Sequence, residues 1–261
     1  MEQGSFSGKV GVITGSATGI GAAIAIALAR AGANVLVNYT KSKTEAEETG
    51  EIAARSGAQA RVMAGDVARD EDCRRLAHCA LDAWGRIDIL VNNAGTTKFA
   101  AHHDLDALTA EDFTRLYTVN VVGPFQMIRA CREALNANGE GAIVNISSIA
   151  GTAGVGSSVA YAASKGALNT MTISLARALA PRVRVNAICP GYVATRWFRD
   201  RFGAERFEKI SLEQAEAAPL KRAGQPQDIA DAALFLCGPA SRHITGELLL
   251  VDGGLHLSLP S

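Results

Sequence analysis

The 261-residue sequence has little proline, no net charge and no long apolar run. With 7 Pro, and 20% charged against 48% hydrophobic residues, its composition is neither that of a disordered chain nor that of a Pro-rich linker. Its 26 Lys and Arg balance 26 Asp and Glu, which argues against nucleic-acid binding through bulk charge. No segment approaches the ~18 apolar residues of a membrane helix, and Met1 to Gly8 has no apolar core of a secretory signal. We therefore expect a cytoplasmic protein that contacts neither nucleic acid nor membrane.

Cysteine is also scarce, and the pattern of the five residues excludes common cysteine frameworks. Their number is odd, their spacing is wide and no CxxC pair occurs, which disfavours both a disulfide scaffold and a zinc site. Each is expected to be a small buried hydrophobe in a reducing compartment. The five histidines are not spaced as ligands either, so no metal is expected. The cysteines are Cys73, Cys79, Cys131, Cys189 and Cys237, and the histidines are His78, His102, His103, His243 and His256.

What the chain does contain is a regular alternation of short apolar segments and longer amphipathic ones. Strands are expected at residues 10–13, 34–38, 61–65, 87–91, 142–146, 184–188 and 248–251. Helices are expected at residues 20–31 and 44–55, through Trp84, after a capping box at Thr109 to Asp112, and at 158–179 and 228–237. Repeated β–α units predict an α/β fold, a Rossmann-type doubly wound parallel sheet of about seven strands with helices on both faces. Residues 1–261 are interpreted as one domain, with a lid or irregular segment where Tyr192 to Pro219 breaks the rhythm.

A glycine-rich turn follows the first predicted strand and opens the first predicted helix. Free N–H groups at a helix N-terminus, together with the helix dipole, form a site for a phosphate, and glycines allow the close approach. The spacing is GxxxGxG, which is neither the GxGxxG of other dinucleotide-binding turns nor a P-loop. A glycine-rich turn between packed elements is the alternative. The candidate cofactor-binding residues of this turn are Gly15, Ser16, Thr18, Gly19, Ile20 and Gly21.

Tyr161 and Lys165 stand four residues apart in a predicted helix and therefore on one face. A cation near a phenol lowers its pKa from the ordinary value of roughly 10, which suits a group that exchanges protons with an alkoxide. Such a pair also occurs on solvated helix faces. Ser148 follows the strand at 142–146, where the carboxyl ends of parallel strands form the ligand crevice, and it could hold a carbonyl oxygen or simply serve the turn.

Taken in order, these motifs resemble the short-chain dehydrogenase/reductase family over essentially the whole chain. The resemblance adds several matching positions to those already described. They are Asp66-Val67, Asn92-Asn93-Ala94-Gly95, Asn120, Ser148 thirteen residues before Tyr161, Pro190-Gly191, Thr195 and Val251-Asp252-Gly253-Gly254. The chain is most similar to 3-oxoacyl-carrier-protein reductases and glucose-dehydrogenase-like members.

The resemblance implies a role for each matching residue. Tyr161 would be the general acid/base, Lys165 would lower its pKa and hold the nicotinamide ribose, and Ser148 would orient the substrate carbonyl. Asn120 would hold a water that links Lys165 to solvent. The remaining residues would bind the cofactor: Asp66 and Val67 beside the adenine, Asn92, Ala94 and Gly95 beside the adenosine ribose, and Val193 and Thr195 beside the nicotinamide carboxamide and phosphates. Pro190 and Gly191 also belong to the cofactor-binding set.

The cofactor choice depends on the end of the second predicted strand. Tyr39 occupies the position where family members that use NAD carry an acid. Thr40, Lys41, Ser42 and Lys43 follow, and their cations and hydroxyls suit a 2′-phosphate, although related enzymes often carry Arg where this chain has Thr40. The sequence therefore predicts NADP(H), with NAD as the alternative.

The expected activity is carbonyl reduction or secondary-alcohol oxidation, with 3-oxoacyl thioesters as one substrate class. Two alternatives are an NAD-dependent sugar or small-alcohol dehydrogenase, and a non-catalytic dinucleotide sensor or scaffold. Docking of an acidic carrier protein would require a basic patch, for which the candidates are Arg129, Arg132, Arg199, Arg201 and Arg206. The apolar segment Leu248 to Leu259 predicts subunit contacts and, with the family resemblance, a homotetramer.

Overall fold

The computed structural model of the chain describes residues 5–137 and 139–258. The first four residues of the Met1 to Gly8 segment and Leu259 of the Leu248 to Leu259 segment lie outside the described residues. Seven parallel strands form one sheet in the order β3-β2-β1-β4-β5-β6-β7. The strands are β1 (Val10–Ile13), β2 (Asn34–Tyr39), β3 (Ala60–Ala64), β4 (Ile89–Asn92), β5 (Gly141–Ile146), β6 (Val183–Pro190) and β7 (Leu248–Val251).

Helices cover both faces of the sheet, which confirms the predicted doubly wound architecture. They are α1 (Gly19–Arg30), α2 (Lys43–Ala54), α3 (Asp70–Trp84), α4 (Ala110–Tyr117), α5 (Gly123–Ala137), α6 (Ala150–Ala153), α7 (Val159–Leu179), α8 (Arg196–Phe202), α9 (Ala204–Ala217) and α10 (Pro226–Cys237). Most bounds differ from the expected ones by one or two residues. The helix expected after Thr109 is interrupted by a π-helical turn over Thr118–Val122.

The core has two halves because successive strand residues point to opposite faces of the sheet. Ile13 packs with Ile24 and Leu28 of α1 on one face, while its neighbour Val12 packs with Leu76 of α3 on the other. Both faces are covered, so the central strands read as continuous apolar runs rather than as an alternation. This explains why β1, β4 and β5 were recognisable as strands in the sequence.

Local capping positions two of the helices that flank the site. The Thr109 hydroxyl accepts from the Asp112 amide, and the Asp112 carboxylate accepts from the Thr109 amide, both at 3.3 Å, which confirms the expected capping box. At the start of α7 the buried Ser158 hydroxyl accepts from the Tyr161 amide at 3.2 Å. This cap determines where the helix that carries Tyr161 and Lys165 begins.

The segment 192–219 is more regular than the sequence indicated. It contains α8 and α9, joined at Gly203, and neither helix has a buried residue. The apolar side chains of the segment are used for ring contacts near the surface, so its hydrophobic periodicity is weak and the two helices were not predicted.

Two further expectations concern cysteines and membranes. All five cysteines are free; four are buried, and Cys79 is half-buried. Burial raises the pKa of the Cys131 thiol to about 12, as suits a side chain that packs as a hydrophobe. None of the helices in the described ranges has the length and apolar character needed to cross a membrane.

Candidate active site

The sheet has a switch point between β1 and β4, where successive connections leave in opposite directions, and ligands of such sheets bind outside the carboxyl ends of the strands there. The glycine-rich turn lies at this point. Gly15 and Gly19 both have φ of +60°, the left-handed region that favours glycine. A Cβ on Gly15 would lie 2.8 Å from Ala94 Cα, and one on Gly21 would lie 2.5 Å from the Gly15 oxygen. Gly15 lies against the segment that follows β4 and Gly21 lies against the turn itself, so neither position has room for a side chain.

The first amides of α1 open outward from this turn. Thr18 is the N-cap residue and, within the described part of the chain, its side chain accepts no hydrogen bond from them. Ser16 is buried and its hydroxyl donates to the Ile13 oxygen at 2.7 Å, while Ile20 packs against the core at half burial. Ser16 and Ile20 therefore support the structure of the turn. The main-chain N–H groups at the start of α1 remain available as donors, and such a helix N-terminus suits a phosphate group.

Two asparagines that sequence reasoning did not assign to the site hold this turn in place. The Asn38 Oδ1 accepts from the Gly15 amide at 3.0 Å, and its Nδ2 donates to the Gly65 oxygen at 3.0 Å. The Asn93 Nδ2 donates to the oxygens of Thr14 and Gly15 at 3.0 and 2.8 Å. For Asn38 the only sequence signal is an Asn at the end of a buried strand, whereas Asn93 belongs to the Asn92-Asn93-Ala94-Gly95 motif but was given no role there.

The chain reaches the surface where β2 ends. Tyr39 is half-buried, whereas Thr40, Lys41, Ser42 and Lys43 are exposed. Lys43 Nζ lies 3.6 Å from Glu47 Oε1, one helical turn along α2. Among the described residues, no carboxylate lies within ion-pair distance of Lys41. Of the two lysines that follow Tyr39, Lys41 is therefore the one whose ammonium group is not already paired with a carboxylate.

The predicted residues after β3 and β4 form the next part of the crevice. Asp66 is half-buried and its Oδ1 accepts from the Ala68 amide at 3.0 Å, and the buried Val67 accepts at its main-chain oxygen from Gln126 Nε2 at 2.8 Å. Asn92 is buried and donates to Asn145 Oδ1 at 2.9 Å. A Cβ on Gly95 would lie 3.4 Å from Asn120 Oδ1 and 3.8 Å from Lys165 Nζ. The loop after Ala94 therefore crosses directly over the predicted catalytic residues.

Ser148 and Tyr161 meet above the end of β5. The Ala150 amide donates to Ser148 Oγ at 3.1 Å, and the Ser148 hydroxyl is near enough to the Tyr161 phenol to act on its pKa. Lys165 Nζ donates to the Ile146 oxygen at 2.8 Å and lies 5.8 Å from the centre of the Tyr161 ring. Three of the four predicted catalytic side chains are therefore brought together at one strand end.

Burial dominates the electrostatics of this cluster. It lowers the pKa of Lys165 from 10.5 to about 8. It also raises the pKa of Tyr161, although the neighbouring Ser148 hydroxyl acts in the opposite direction. This direction is opposite to the one expected from the Tyr161–Lys165 spacing, because the Lys165 ammonium is directed to the Ile146 oxygen and desolvation of the phenol outweighs its influence.

Asn120, the fourth predicted catalytic residue, lies in the π-helical turn and is buried. Its Oδ1 accepts from the Thr96 amide at 2.8 Å, and its Nδ2 donates to the Thr96 oxygen and to Ser164 Oγ at 2.9 and 3.0 Å. Ser164 Oγ donates in turn to the main-chain carbonyl oxygen of Tyr161 at 2.7 Å. The Asn120 side chain therefore joins the loop after β4 to α7, a structural task in line with the hydrogen bonding at a helix bend that is the alternative reading of this residue in the sequence.

The loop after β6 closes the crevice from the other side. Pro190 is buried, and a Cβ on Gly191 would lie 2.7 Å from Asp252 Cβ. Val193 is buried and forms an isolated bridge with Gly224. A Cβ on Gly19 would lie 3.5 Å from Thr195 Cγ2, so Thr195 faces the glycine-rich turn. These neighbours also explain the Val251-Asp252-Gly253-Gly254 motif, whose Asp252 packs on Gly191.

Other sequence candidates lie at the margin of the crevice or outside it. His102 is exposed and its Nε2 lies 3.2 Å from the Gly156 oxygen. The candidate basic residues are spread over α5 (Arg129, Arg132), α8 (Arg199, Arg201) and α9 (Arg206). Across the described ranges, no group of three or more His, Cys, Asp or Glu side chains is placed to hold a metal ion.

Comparison with known proteins gives matches along almost the entire chain. A family profile described as enoyl-(acyl carrier protein) reductase matches residues 15–256. A protein named ketoacyl reductase 2 of the granaticin polyketide synthase, from Streptomyces violaceoruber, is 40% identical over 248 residues, which cover 95% of this chain and 96% of that protein. Glucose 1-dehydrogenase 2 of Bacillus subtilis is 36% identical over 254 residues, with 96% of each covered.

A solved structure gives the same result. The crystal structure of a protein described as a short-chain dehydrogenase/reductase from Burkholderia xenovorans matches with a TM-score of 0.88 at 40% identity, over 95% of this chain and 98% of that one. Family members are oxidoreductases that use NAD(P) and act on small molecules, and the phosphate-sized turn and the hydroxyl pair at the end of β5 fit that chemistry. The chain belongs to the short-chain dehydrogenase/reductase family.

Proposed function

We propose that the chain is an NADP(H)-dependent enzyme that reduces a carbonyl compound or oxidises the corresponding secondary alcohol. The observation that carries this proposal is the grouping of Ser148, Tyr161 and Lys165 at the end of β5, with the Lys165 ammonium 5.8 Å from the centre of the Tyr161 ring and donating to the Ile146 oxygen. The open N-terminus of α1 lies across the same crevice and suits the phosphates of a dinucleotide. A non-catalytic sensor or scaffold would have no need for the hydroxyl pair and the buried cation together.

Each residue of the cluster has a task that follows from its surroundings. The nicotinamide, when bound, supplies or accepts the hydride. Tyr161 and Ser148 hold the substrate oxygen by two hydroxyl groups, and Tyr161 gives or takes its proton. Lys165, with a pKa lowered to about 8 by burial, can release and regain a proton near neutral pH. Asn120 keeps the loop after β4 and the helix α7 together around the reacting groups.

The most direct test measures oxidation of NADPH and of NADH against β-ketoacyl thioesters, sugars, steroids and small ketones. We expect turnover of at least one carbonyl compound, with a loss of several orders of magnitude in kcat in Tyr161→Phe. Ketoacyl thioesters come first because the relative from Streptomyces violaceoruber is named a ketoacyl reductase. Sugars are the second class, since another relative is named a glucose dehydrogenase. Dinucleotide binding without turnover on the whole panel would instead favour the sensor or scaffold.

For the cofactor we propose NADP(H), held at its 2′-phosphate by Lys41 together with the hydroxyls of Thr40 and Ser42. Support comes from the absence of a carboxylate at Tyr39 and from the exposed Lys41 ammonium beside it. A charge-assisted hydrogen bond of about 1.5–3 kcal/mol corresponds to about a 10- to 100-fold change in affinity. Lys41→Ala should raise KM for NADPH by that factor and leave KM for NADH unchanged. Lys43→Ala is the matched control, because Lys43 is paired with Glu47.

We also propose a homotetramer, because apolar side chains are exposed on two separate parts of the molecule. One face carries Phe113, Tyr117, Val122 and Phe125 of α4, α5 and the π-helical turn between them, with Val122 44% and Phe125 42% exposed. The other carries Leu250 on the edge strand β7, and Phe235 on α10, each 37% exposed. Two independent self-complementary interfaces generate a tetramer with closed symmetry. Light scattering should give a tetramer that Phe125→Glu and Leu250→Glu each reduce to dimers; a monomeric parent chain would refute this.

A further inference from the structure

Between its buried ends, Val193 and Ala218, the segment 192–219 that the sequence predicts as a lid is attached weakly to the rest of the protein. Neither α8 nor α9 has a buried residue. Tyr192 and Ser211, hydrogen-bonded at 2.9 Å, tie two parts of the segment to each other rather than to the sheet. Arg196 lies 3.4 Å from Glu45 of α2, but this pair is exposed and such pairs contribute little.

One ring from outside the segment is surrounded by side chains of α8. Phe99, in the loop after β4, stacks on Trp197 with ring centres 5.6 Å apart and meets Phe202 edge-on at 5.1 Å. The Arg201 guanidinium lies 5.6 Å from the centre of the same ring. Phe99 and the three α8 side chains Trp197, Arg201 and Phe202 are referred to below as the aromatic latch.

The latch is linked to Tyr161 through the residues that flank Phe99 and through the loop at Gly156 and Ser157. The Ala100 amide donates to the Ser157 oxygen at 2.9 Å, and the hydroxyls of Thr97 and Ser157 are in contact. The neighbouring Gly156 is close enough to Tyr161 that a Cβ on it would lie 3.6 Å from Tyr161 Cδ1. Phe99 thus stands between the loop beside Tyr161 and the helix α8.

We propose that Phe99 is a positioning residue that holds α8 over the substrate entrance and thereby determines how readily carbonyl substrates reach Tyr161. The effect on carbonyl substrates rests on the proposed function, whereas the contact between Phe99 and α8 does not depend on it. Opening of the lid requires Phe99 to leave the cup formed by Trp197, Arg201 and Phe202. Its removal should therefore favour the open lid and weaken substrate binding, while the hydroxyl pair stays in place.

The chain offers a fluorescent reporter of the latch. It has two tryptophans, Trp84 and Trp197. Trp84 lies on α3 and donates to Gln59 Oε1 at 3.0 Å, away from the site, so Trp84→Phe leaves Trp197 as the single reporter. Arg199, Arg201 and Arg206 also make the segment a trypsin substrate once it opens.

Three variants in the Trp84→Phe background test the proposal. Phe99→Leu keeps the apolar bulk but loses the ring, so we expect the emission of Trp197 to shift to the red. Tryptic cleavage within α8 and α9 should become about tenfold faster, which corresponds to the loss of two aromatic pairs. Phe99→Tyr keeps the ring and should behave as the parent. Phe207→Leu is the matched control, because Phe207 lies on α9 and no ring contact joins it to Phe99 within the described residues.

The kinetic arm uses whichever carbonyl compound the parent enzyme reduces. Phe99→Leu should raise KM for that compound about tenfold and change kcat less than about twofold, and Phe99→Tyr should restore KM. Unchanged Trp197 emission and cleavage in Phe99→Leu would overturn the proposal. So would an equal response in Phe207→Leu, or a fall in kcat at constant KM. Absence of turnover by the parent would contradict the proposed function alone, because emission and cleavage still report on the latch.

Discussion

Replacing Lys165 by Met should stabilise the fold at neutral pH while abolishing turnover. Lys165 is 5% exposed, and within the described residues no carboxylate lies in ion-pair distance of its ammonium. Burial lowers its pKa from 10.5 to about 8, a difference that corresponds to about 3 kcal/mol at 1.36 kcal/mol per pKa unit. Met keeps most of the aliphatic stem but cannot donate to the Ile146 oxygen. Loss of this hydrogen bond destabilises the variant by about 1 kcal/mol and reduces the gain from removing the buried charge. The expected net gain in the free energy of unfolding is about 2 kcal/mol.

The pH dependence of this gain has a definite sign. Between about pH 8 and about pH 10.5 the unfolded chain binds more protons at Lys165 than the folded chain does, because the pKa is lowered on folding. Raising the pH through this window therefore stabilises the parent protein relative to Lys165→Met. The advantage of the variant should be complete below about pH 8 and should shrink as the pH rises toward the ordinary lysine value.

Urea unfolding followed by circular dichroism, at one fixed protein concentration, measures the difference at about pH 6.5 and about pH 9.5. Lys209→Met is the control, since Lys209 is 77% exposed and its replacement should change stability by less than about 0.5 kcal/mol at both values. A Lys165→Met protein that is less stable than the parent at the lower pH would refute the reasoning. A gain that does not decline at the higher pH would show that it does not arise from the buried charge.

The remaining predictions concern the turn, the helix cap and the cofactor. Gly21→Ala places a Cβ 2.5 Å from the Gly15 oxygen, so it should abolish cofactor binding in a fluorescence titration and lower stability by about 1–3 kcal/mol. Ser158→Ala removes the cap of α7 and should lower the midpoint of thermal unfolding, at a cost of about 0.5–2 kcal/mol; an unchanged midpoint would contradict the cap. Tyr39→Asp introduces an acid at the end of β2, so the ratio of kcat/KM for NADPH to that for NADH should fall at least about tenfold.

The parts of the fold that the sequence predicted are those determined by local pattern. Val10–Ile13 could be recognised as a strand because it is a short apolar run buried on both faces, and the Thr109 box could be recognised because its partners are three residues apart. The helices α8 and α9 were missed because no residue of either is buried, which leaves a weak periodicity. The π-helical turn at Asn120 also has no local signature in the sequence, since it depends on bonds to Thr96 and Ser164.

Within the site, the sequence predicted which side chains lie close together, but it could not predict their electrostatics. Spacing placed Tyr161 and Lys165 on one face of a helix, and family resemblance added Ser148. The direction of the Tyr161 pKa shift depends on burial and on where the Lys165 ammonium is directed, and both follow from β5 packing beneath α7. Asn38 was overlooked for the same reason, because its partner Gly15 lies 23 residues earlier in the chain.

The side chains that we propose as reacting groups are held by main-chain atoms of different elements more than by one another. Lys165 is held by the Ile146 oxygen, Ser148 by the Ala150 amide, and Asn120 by both main-chain polar groups of Thr96. α6 packs so closely on α7 that a Cβ on Gly151 would lie 2.6 Å from the Lys165 carbonyl carbon. Replacement of one reacting side chain therefore leaves the scaffold for the others intact. A loss of activity in Lys165→Met or Tyr161→Phe can for this reason be assigned to missing chemistry, whereas a change at Gly151 would displace the helix that carries both.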